Sequence, residues 1–371
     1  MISMNRQEVQ NSRTKPAEMI GNEDDILING SSKFPSALFL RVPPSSNKPK
    51  YHFLSLDGNP VRDPIRSLTF ADDSAGISIL QSCNGLLLCR SNRRTGEYNR
   101  NYYIYNPTTN KYTILPQPGN RIPNTIFCVI LAFDPSRSSY YKVVFVRSSR
   151  SSPYLYQLEI YSSETQLWSF SSEIPKVNYS RWAYCCGAIY WMSYSRNFLC
   201  FEVDQERFRE IPMPEIPDDW GQQPICRYFR ELGGRLHLIL TNGRHSTRQF
   251  DVYEMEKDLS GWFVKYRVDL NALISQHPEM TRSYAHPSDW DYHAFSVLAV
   301  VCKESEGSFM VLHIPGKAIS YSFKDRTCTL LHDFAPGCTD IEGCTTFEGK
   351  DVYPYIGTFA RVGSWPLANV G

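Results

Sequence analysis

The chain has 371 residues, 42% of them hydrophobic, and a formal net charge of +1. That is ample material for a buried core, and the balanced charge supplies no global field that would recruit nucleic acid or a membrane surface. Its 11 cysteines are odd in number and scattered, and residues 1–21 contain no apolar leader. We therefore expect buried thiols in a reducing intracellular compartment, cytoplasmic or nuclear. No CxxC, HxxxH or HExxH pattern occurs, so neither a metal site nor a cofactor is expected. Apolar runs such as Phe295–Cys302 fall short of the ~18 residues a membrane-spanning helix needs.

In chain order, residues 1–33 are polar without apolar period and read as a disordered amino-terminal segment. From Phe34 onward the pattern is one of short strand-like runs broken by turn residues. The aromatic content, 13% with 23 Tyr and 20 Phe, suits pleated half-buried surfaces. One helix is predicted, Leu270–Gln276, stopped by His277-Pro278.

The strand runs recur. Tyr103–Pro116, Leu158–Ser169, Cys200–Pro212, Phe250–Tyr266 and Ile319–Leu331 each read as a strand ending in an aromatic or apolar residue, a polar turn, and a further strand. Their spacing of roughly 40–65 residues fits propeller blades with variable loops. Several runs are apolar on both faces, among them Val129–Phe133, Tyr141–Val146, Phe295–Cys302 and Phe309–Ile314. Strands sandwiched between neighbouring sheets have this pattern, whereas an isolated antiparallel sheet alternates.

The predicted fold is all-β, a single β-propeller of four-stranded antiparallel sheets. Five blades are visible between about Ile77 and Phe334. A sixth is assembled from both ends, Ala37–Val42 and Tyr51–Leu56 in front and Thr345–Val362 behind, so that amino- and carboxy-terminal strands pair to close the ring. Six blades are favoured and seven stay compatible. The propeller is assigned to 34–365, with 366–371 as a tail.

The motifs along these strands resemble the F-box-associated domain of plant F-box proteins. They are Ser82–Cys89 followed by Tyr105-Asn-Pro-Thr-Thr109, Phe133-Asp-Pro followed by Tyr141–Val144, Gly187–Trp191, Leu232–Leu236, Val252–Met255 with Trp262, His313–Tyr321 and Val352–Tyr355. Each is weak alone, but together in this order they make a specific match. Their residues are structural: Asn-Gly and Gly permit the positive φ of tight hairpins, Asp-Pro and Asn-Pro start turns, and Tyr and Trp fill sheet interfaces. The resemblance implies the substrate-recognition part of a ubiquitin ligase adaptor. Its partners would be target proteins, with a Skp-family linker and a cullin–RING ligase reached through an F-box. Residues 23–28 could be the start of one. The Leu-Pro, the basic and apolar helix and the Trp expected of an F-box are absent from 1–33, so docking to the ligase is not expected of an intact kind.

No catalytic constellation is present, and the chain reads as a non-enzyme. The alternative is a glycan-processing or carbohydrate-binding propeller that uses Asp218-Asp219 beside Trp220 and Asp289-Trp290-Asp291. Loop charge carries more information. With strands a to d in each blade, b–c loops and d–a connections share one face. Arg93, Arg94, Arg147, Arg150 and Arg244 are placed on b–c loops, while Arg121, Lys176, Arg181 and Arg282 are placed on d–a connections, offset there by Asp218, Asp219, Asp289 and Asp291. Guanidinium forks suit carboxylate and phosphate. Candidate partner-binding residues are therefore Arg93, Arg94, Arg147, Arg150, Arg244, Trp220 and Trp290, facing an acidic or phosphorylated protein segment.

Overall fold

The computed structural model describes residues 34–42, 49–56, 68–71, 73, 76–92, 100–118, 126–193, 197–217, 220, 224–302, 307–334, 347 and 349–363. The expected amino-terminal segment 1–33 and the tail 366–371 lie outside them.

Two strands open the described chain, β1 (Ala37–Val42) and β2 (Lys50–Ser55). Blade 1 follows as β3 (Ile77–Cys83), β4 (Leu86–Ser91), β5 (Tyr102–Asn106) and β6 (Lys111–Ile114). Blade 2 is β7 (Ile126–Ala132), β8 (Lys142–Ser148), β9 (Leu155–Ser162) and β10 (Leu167–Pro175). Blade 3 is β11 (Trp182–Cys185), β12 (Ala188–Met192), β13 (Asn197–Glu202) and β14 (Arg207–Pro212). Blade 4 is β15 (Ile225–Leu232), β16 (Arg235–Thr241), β17 (Gln249–Met255) and β18 (Trp262–Asp269). Helix α1 (Asn271–Gln276) falls where the sequence places it, before blade 5: β19 (Ser296–Val301), β20 (Phe309–Ile314), β21 (Lys317–Ser322) and β22 (Cys328–Asp333). The last strand, β23 (Val352–Tyr355), pairs antiparallel with β1, and β1 with β2. This sixth sheet has three strands among the described residues. The ring is thus a six-bladed propeller closed by strands from both ends of the chain.

Among the described residues, six apolar clusters lie between successive sheets. One strand feeds two of them in alternation. On β8, Val143 and Phe145 pack toward blade 1, while Val144 and Val146 pack toward blade 3. On β1, Leu38 and Leu40 face blade 5 and Phe39 faces blade 1. This two-sided burial is why the central strands show no polar alternation. Outermost strands have one open face: only Ile211 of β14 is buried, and its Arg207, Arg209 and Glu210 are exposed. Charges of this kind blunt an otherwise sticky sheet edge.

The turns repeat as well. In blades 1 to 5 the c–d hairpin contains one non-glycine residue at positive φ: Asn110 (54°), Gln166 (60°), Glu206 (53°), Leu259 (61°) and Arg326 (58°). Only the first uses Asn, the side chain that best tolerates this region. Sheet pairing on either side imposes it on the other four. The a–b hairpin of blade 1 has Asn84 at 46° and Gly85 at 88°, the two positive angles a type I′ turn needs. A Cβ on Gly85 would stand 2.6 Å from Ile356 O and 2.4 Å from Thr358 Cγ2, because the segment after β23 runs beneath this turn. Buried Asn106 holds that segment: its Nδ2 donates to Thr358 O (3.0 Å) and Ala360 O (2.8 Å), while its Oδ1 accepts from Thr108 N (2.9 Å). Asn106-Pro-Thr-Thr is therefore both a turn and a clamp on the chain's end.

Aromatic side chains tie blade to blade. Trp168 Nε1 donates to Pro116 O (2.9 Å), and Trp262 Nε1 repeats the link to Pro212 O (3.0 Å). Trp191, fully buried, has no partner for its indole N–H among the described residues.

Two consequences can be measured. Phe39 is 1% exposed at the closing seam, against Phe53 (ring centroids 5.2 Å) and Tyr355 (5.8 Å). Phe39→Ala should cost about 3–5 kcal/mol, read as a lower urea midpoint for the whole domain. His313 is fully buried between Phe334 and Phe347, and neither ring nitrogen has a hydrogen-bond partner among the described residues. Burial lowers its pKa from 6.5 to about 4. The unfolded imidazole binds a proton that the folded one refuses, so stability is intact above pH 6.5 and falls as pH drops toward 4. The loss reaches about 3 kcal/mol. Thermal unfolding across that range should show a shallower slope for His313→Leu.

Candidate functional site: the channel mouth

The inner strands β3, β11, β15, β19 and β23 line a central channel of about 780 Å³. Each inner strand leaves one edge without a ladder partner, and side chains of neighbouring blades cover it. Gln81 donates to Leu131 O (2.8 Å) and accepts from Leu131 N (2.6 Å) on β7. Tyr228 Oη accepts from Val300 N (3.3 Å) on β19. Arg181 Nη1 donates to Cys226 O (2.7 Å) on β15, and Arg230 donates to Val352 O (2.9 Å) on β23 and to Gly349 O.

The two mouths differ in charge. At the a–b face, Glu231 lies one residue before the end of β15, and its Oε1 accepts from Gly234 N (2.7 Å). Burial and the nearby Asp134 carboxylate raise its pKa, against that hydrogen bond. At the opposite mouth, where b–c loops and d–a connections gather, Arg181, Arg227 and Arg282 line the channel beside Trp290 and Asp291. Arg282 Nη1 donates to Asp291 Oδ2 (2.5 Å) and Asp291 O (2.9 Å).

Arg227 owes its direction to a β-bulge. The register between β15 and β16 slips between Cys226 and Tyr228, so Arg227 has no opposite residue and turns into the mouth. Its guanidinium lies 5.0 Å from the Trp290 ring centroid and 5.2 Å from that of Phe295. Nε donates to Thr241 Oγ1 (3.2 Å) and one Nη to Trp290 O (3.5 Å). Burial pulls the guanidinium down to about 10, with Arg282 and Arg181 adding to the shift and Asp291 opposing it. Beside it, His293 is 4% exposed. Arg248 Nε donates to its Nε2 (3.1 Å), so the ring is neutral with its proton on Nδ1. Burial and Arg248 both lower its pKa.

The sequence-based candidates fall in different places. Arg93 and Arg94 lie outside the described residues, as do Asp218 and Asp219. Arg147 is on the b–c side but is 8% exposed, and its Nε lies 2.8 Å from Glu159 Oε2. That guanidinium is occupied, and burial raises the Glu159 pKa against the pull of Arg147. Arg150 and Arg244 are exposed on the b–c loops of blades 2 and 4. The blade 2 loop is pinned by Ser151 Oγ donating to Glu173 Oε2 (2.6 Å). Trp220 is half-buried against the core between blades 3 and 4. Trp290, 42% exposed, sits at the mouth. The residue that sequence reasoning missed is Arg227, whose signal is a charge between Cys226 and the aromatic pair Tyr228 and Phe229 on an inner strand.

Among the described residues, the carboxylates lining the channel are Asp291 and Glu231, at opposite mouths. No group of three His, Cys, Asp or Glu that could hold a metal occurs among the described residues. No helix among them is long and apolar enough to cross a membrane.

A closed ring of six sheets around a central channel defines a β-propeller. More narrowly, the chain belongs to the F-box-associated β-propeller family: residues 37–282 match the F-box associated beta propeller domain. It is 35% identical over 348 residues to F-box protein At5g07610 of Arabidopsis thaliana, covering 88% of this chain and 80% of that one. F-box protein At5g03970 of the same plant is 23% identical, covering 69% and 61%. Among solved structures, TolB from Acinetobacter baumannii is similar at 9% identity with a TM-score of 0.42, covering 80% of this chain and 62% of that one.

Arg147→Ala should act on stability rather than on recognition. Removing it leaves Glu159 buried and uncompensated, a loss of about 3–5 kcal/mol, seen as a lower thermal midpoint with no partner present. Arg150→Ala, on the exposed loop, should shift that midpoint by less than about 0.5 kcal/mol.

Proposed function

We propose that the propeller is the target-holding part of an F-box-type ubiquitin ligase adaptor, and that it grips its target over the face carrying the b–c loops and d–a connections. The observation that carries this reading is the division of labour within each blade. The sheets are consumed by packing on both faces, and the connections on one face remain free to vary around an open mouth. Family membership supports the adaptor role. The basic character of that mouth favours an acidic or phosphorylated protein segment as target, and Arg150 and Arg244 extend the surface outward. The adaptor does no chemistry itself. Its work is to hold a target while a ligase assembled on a Skp-family linker acts. The cytoplasm or nucleus is the setting this implies.

Affinity capture from plant extract with the full chain as bait, followed by mass spectrometry, tests the reading. Recovery of a defined target set should fall at least fivefold when Arg150→Glu and Arg244→Glu are combined, with the thermal midpoint unchanged. Recovery of the Skp-family linker reports on ligase docking separately. An unchanged target set would move recognition away from this face, and turnover of a glycan by the purified chain would replace the adaptor reading with the enzymatic one.

A further inference from the structure

We infer that the channel mouth is a preformed pocket for one phosphorylated side chain of the target, held by Arg181, Arg227 and Arg282. The inference rests on the target-holding reading above and names the chemistry of its central contact.

Charge is the first argument. Three guanidiniums stand against one carboxylate, Asp291, which is already paired to Arg282. The local excess of two positive charges matches a phosphomonoester, about −1.5 to −2 at neutral pH. A Glu or Asp side chain brings a single negative charge and leaves a buried guanidinium uncompensated.

The free donors are the second. Arg227 Nη1 makes no hydrogen bond among the described residues, and the one backbone oxygen that Arg181 reaches is Cys226 O, through Nη1. Arg282 Nε is buried without a hydrogen-bond partner. Arg227 and Arg181 form no ion pair among the described residues. Forked donors of this kind accept the oxygens of a phosphate in pairs.

Pre-organisation is the third. The planes of Trp290 and Phe295 hold the Arg227 guanidinium, and Thr241 fixes its Nε. Little side-chain freedom is left to lose on binding. The bulge supplies a fourth argument. Equivalent register slips occur on three other inner strands and leave Leu80 on β3, Phe127 on β7 and Leu298 on β19 without an opposite residue. All three are apolar. Only blade 4 places a charge there, against the packing logic of the other inner strands, and a local rule broken in this way marks function more often than packing.

The test uses the purified full chain and degenerate fluorescent peptide libraries. One fixed central residue is phosphoserine, phosphothreonine or phosphotyrosine, and matched libraries carry glutamate or the unmodified residue. Anisotropy should show at least one phosphorylated library bound tenfold or more tightly than both matched controls. Inorganic phosphate should compete with it. Arg227→Gln and Arg181→Gln should each lose tenfold or more, and Arg227→Lys, which keeps the charge without the fork, should fall between. Arg207→Gln, on the exposed outer strand β14, should bind as the parent does. If Arg227→Gln proves unfolded by circular dichroism, Arg227→Lys and Arg181→Gln carry the decision.

Equal binding of the glutamate library, no binding of any phosphorylated library, or full binding by the folded Arg227 and Arg181 variants would each overturn the pocket. Loss of the pocket alongside continued, Arg150- and Arg244-dependent capture of targets would leave the adaptor reading standing. Loss of both would remove it.

Discussion

The structure depends on one constraint: each central strand is apolar on both faces, so each sheet requires a neighbour on either side. A row of such sheets has two unsatisfied ends, and only a ring has none. The chain meets this by giving its first two described strands to the sheet that its last strand completes. Phe39 on β1 then packs toward blade 1 while Leu38 and Leu40 on the same strand pack toward blade 5. Closure is thus one more copy of the packing found between every other pair of blades. The Asn106 clamp on Thr358 and Ala360 fixes the chain beyond β23 across blade 1, which protects the seam from fraying.

Stacking sheets around an axis creates a second problem. Inner strands turn an unpaired edge toward the channel, and their backbone groups need partners. Gln81, Tyr228, Arg181 and Arg230 supply them from neighbouring blades. Long cationic side chains suit this task, because the stem packs along the strand and the head reaches the carbonyl. The same requirement brings guanidinium groups to the channel in the first place. Among the described residues, five cationic side chains line it against two carboxylates, and the near-zero net charge of the whole chain conceals this local field.

Much of the fold was legible in the sequence because it is written redundantly. Five copies of strand, turn and strand announce the blades, and two-sided apolar runs such as Tyr141–Val146 announce that sheets stack. Asn106-Pro and Asp134-Pro announce turns, and Ser136 N donates to Asp134 Oδ1 as an Asp-initiated turn requires. The clamp that Asn106 makes 252 residues away was not legible, since no local pattern encodes a tertiary partner. The site was legible in part for the same reason. Loop assignment put Arg147 on the correct side, yet Glu159 on the neighbouring strand buries its charge. Trp290 could be singled out as an aromatic in an acidic loop. Arg227 could not, because a bulge on β15 decides where it points, and a bulge is a property of the pairing rather than of the strand alone.

That distinction separates two kinds of buried arginine in this molecule. Arg147 is paired with Glu159, and the pair contributes to a fold that a pair of apolar residues of similar volume could also support. Arg227 is held between two rings, with a proton affinity lowered by burial and by two like charges. Its position at a bulge could be filled, as in three other blades, by a Leu or Phe that packs without any electrostatic penalty. A fold selected for stability alone would take that option. The cost at Arg227 is offset only when an anion enters the mouth, so the residue that least serves the ring is the one that best defines what the ring can hold.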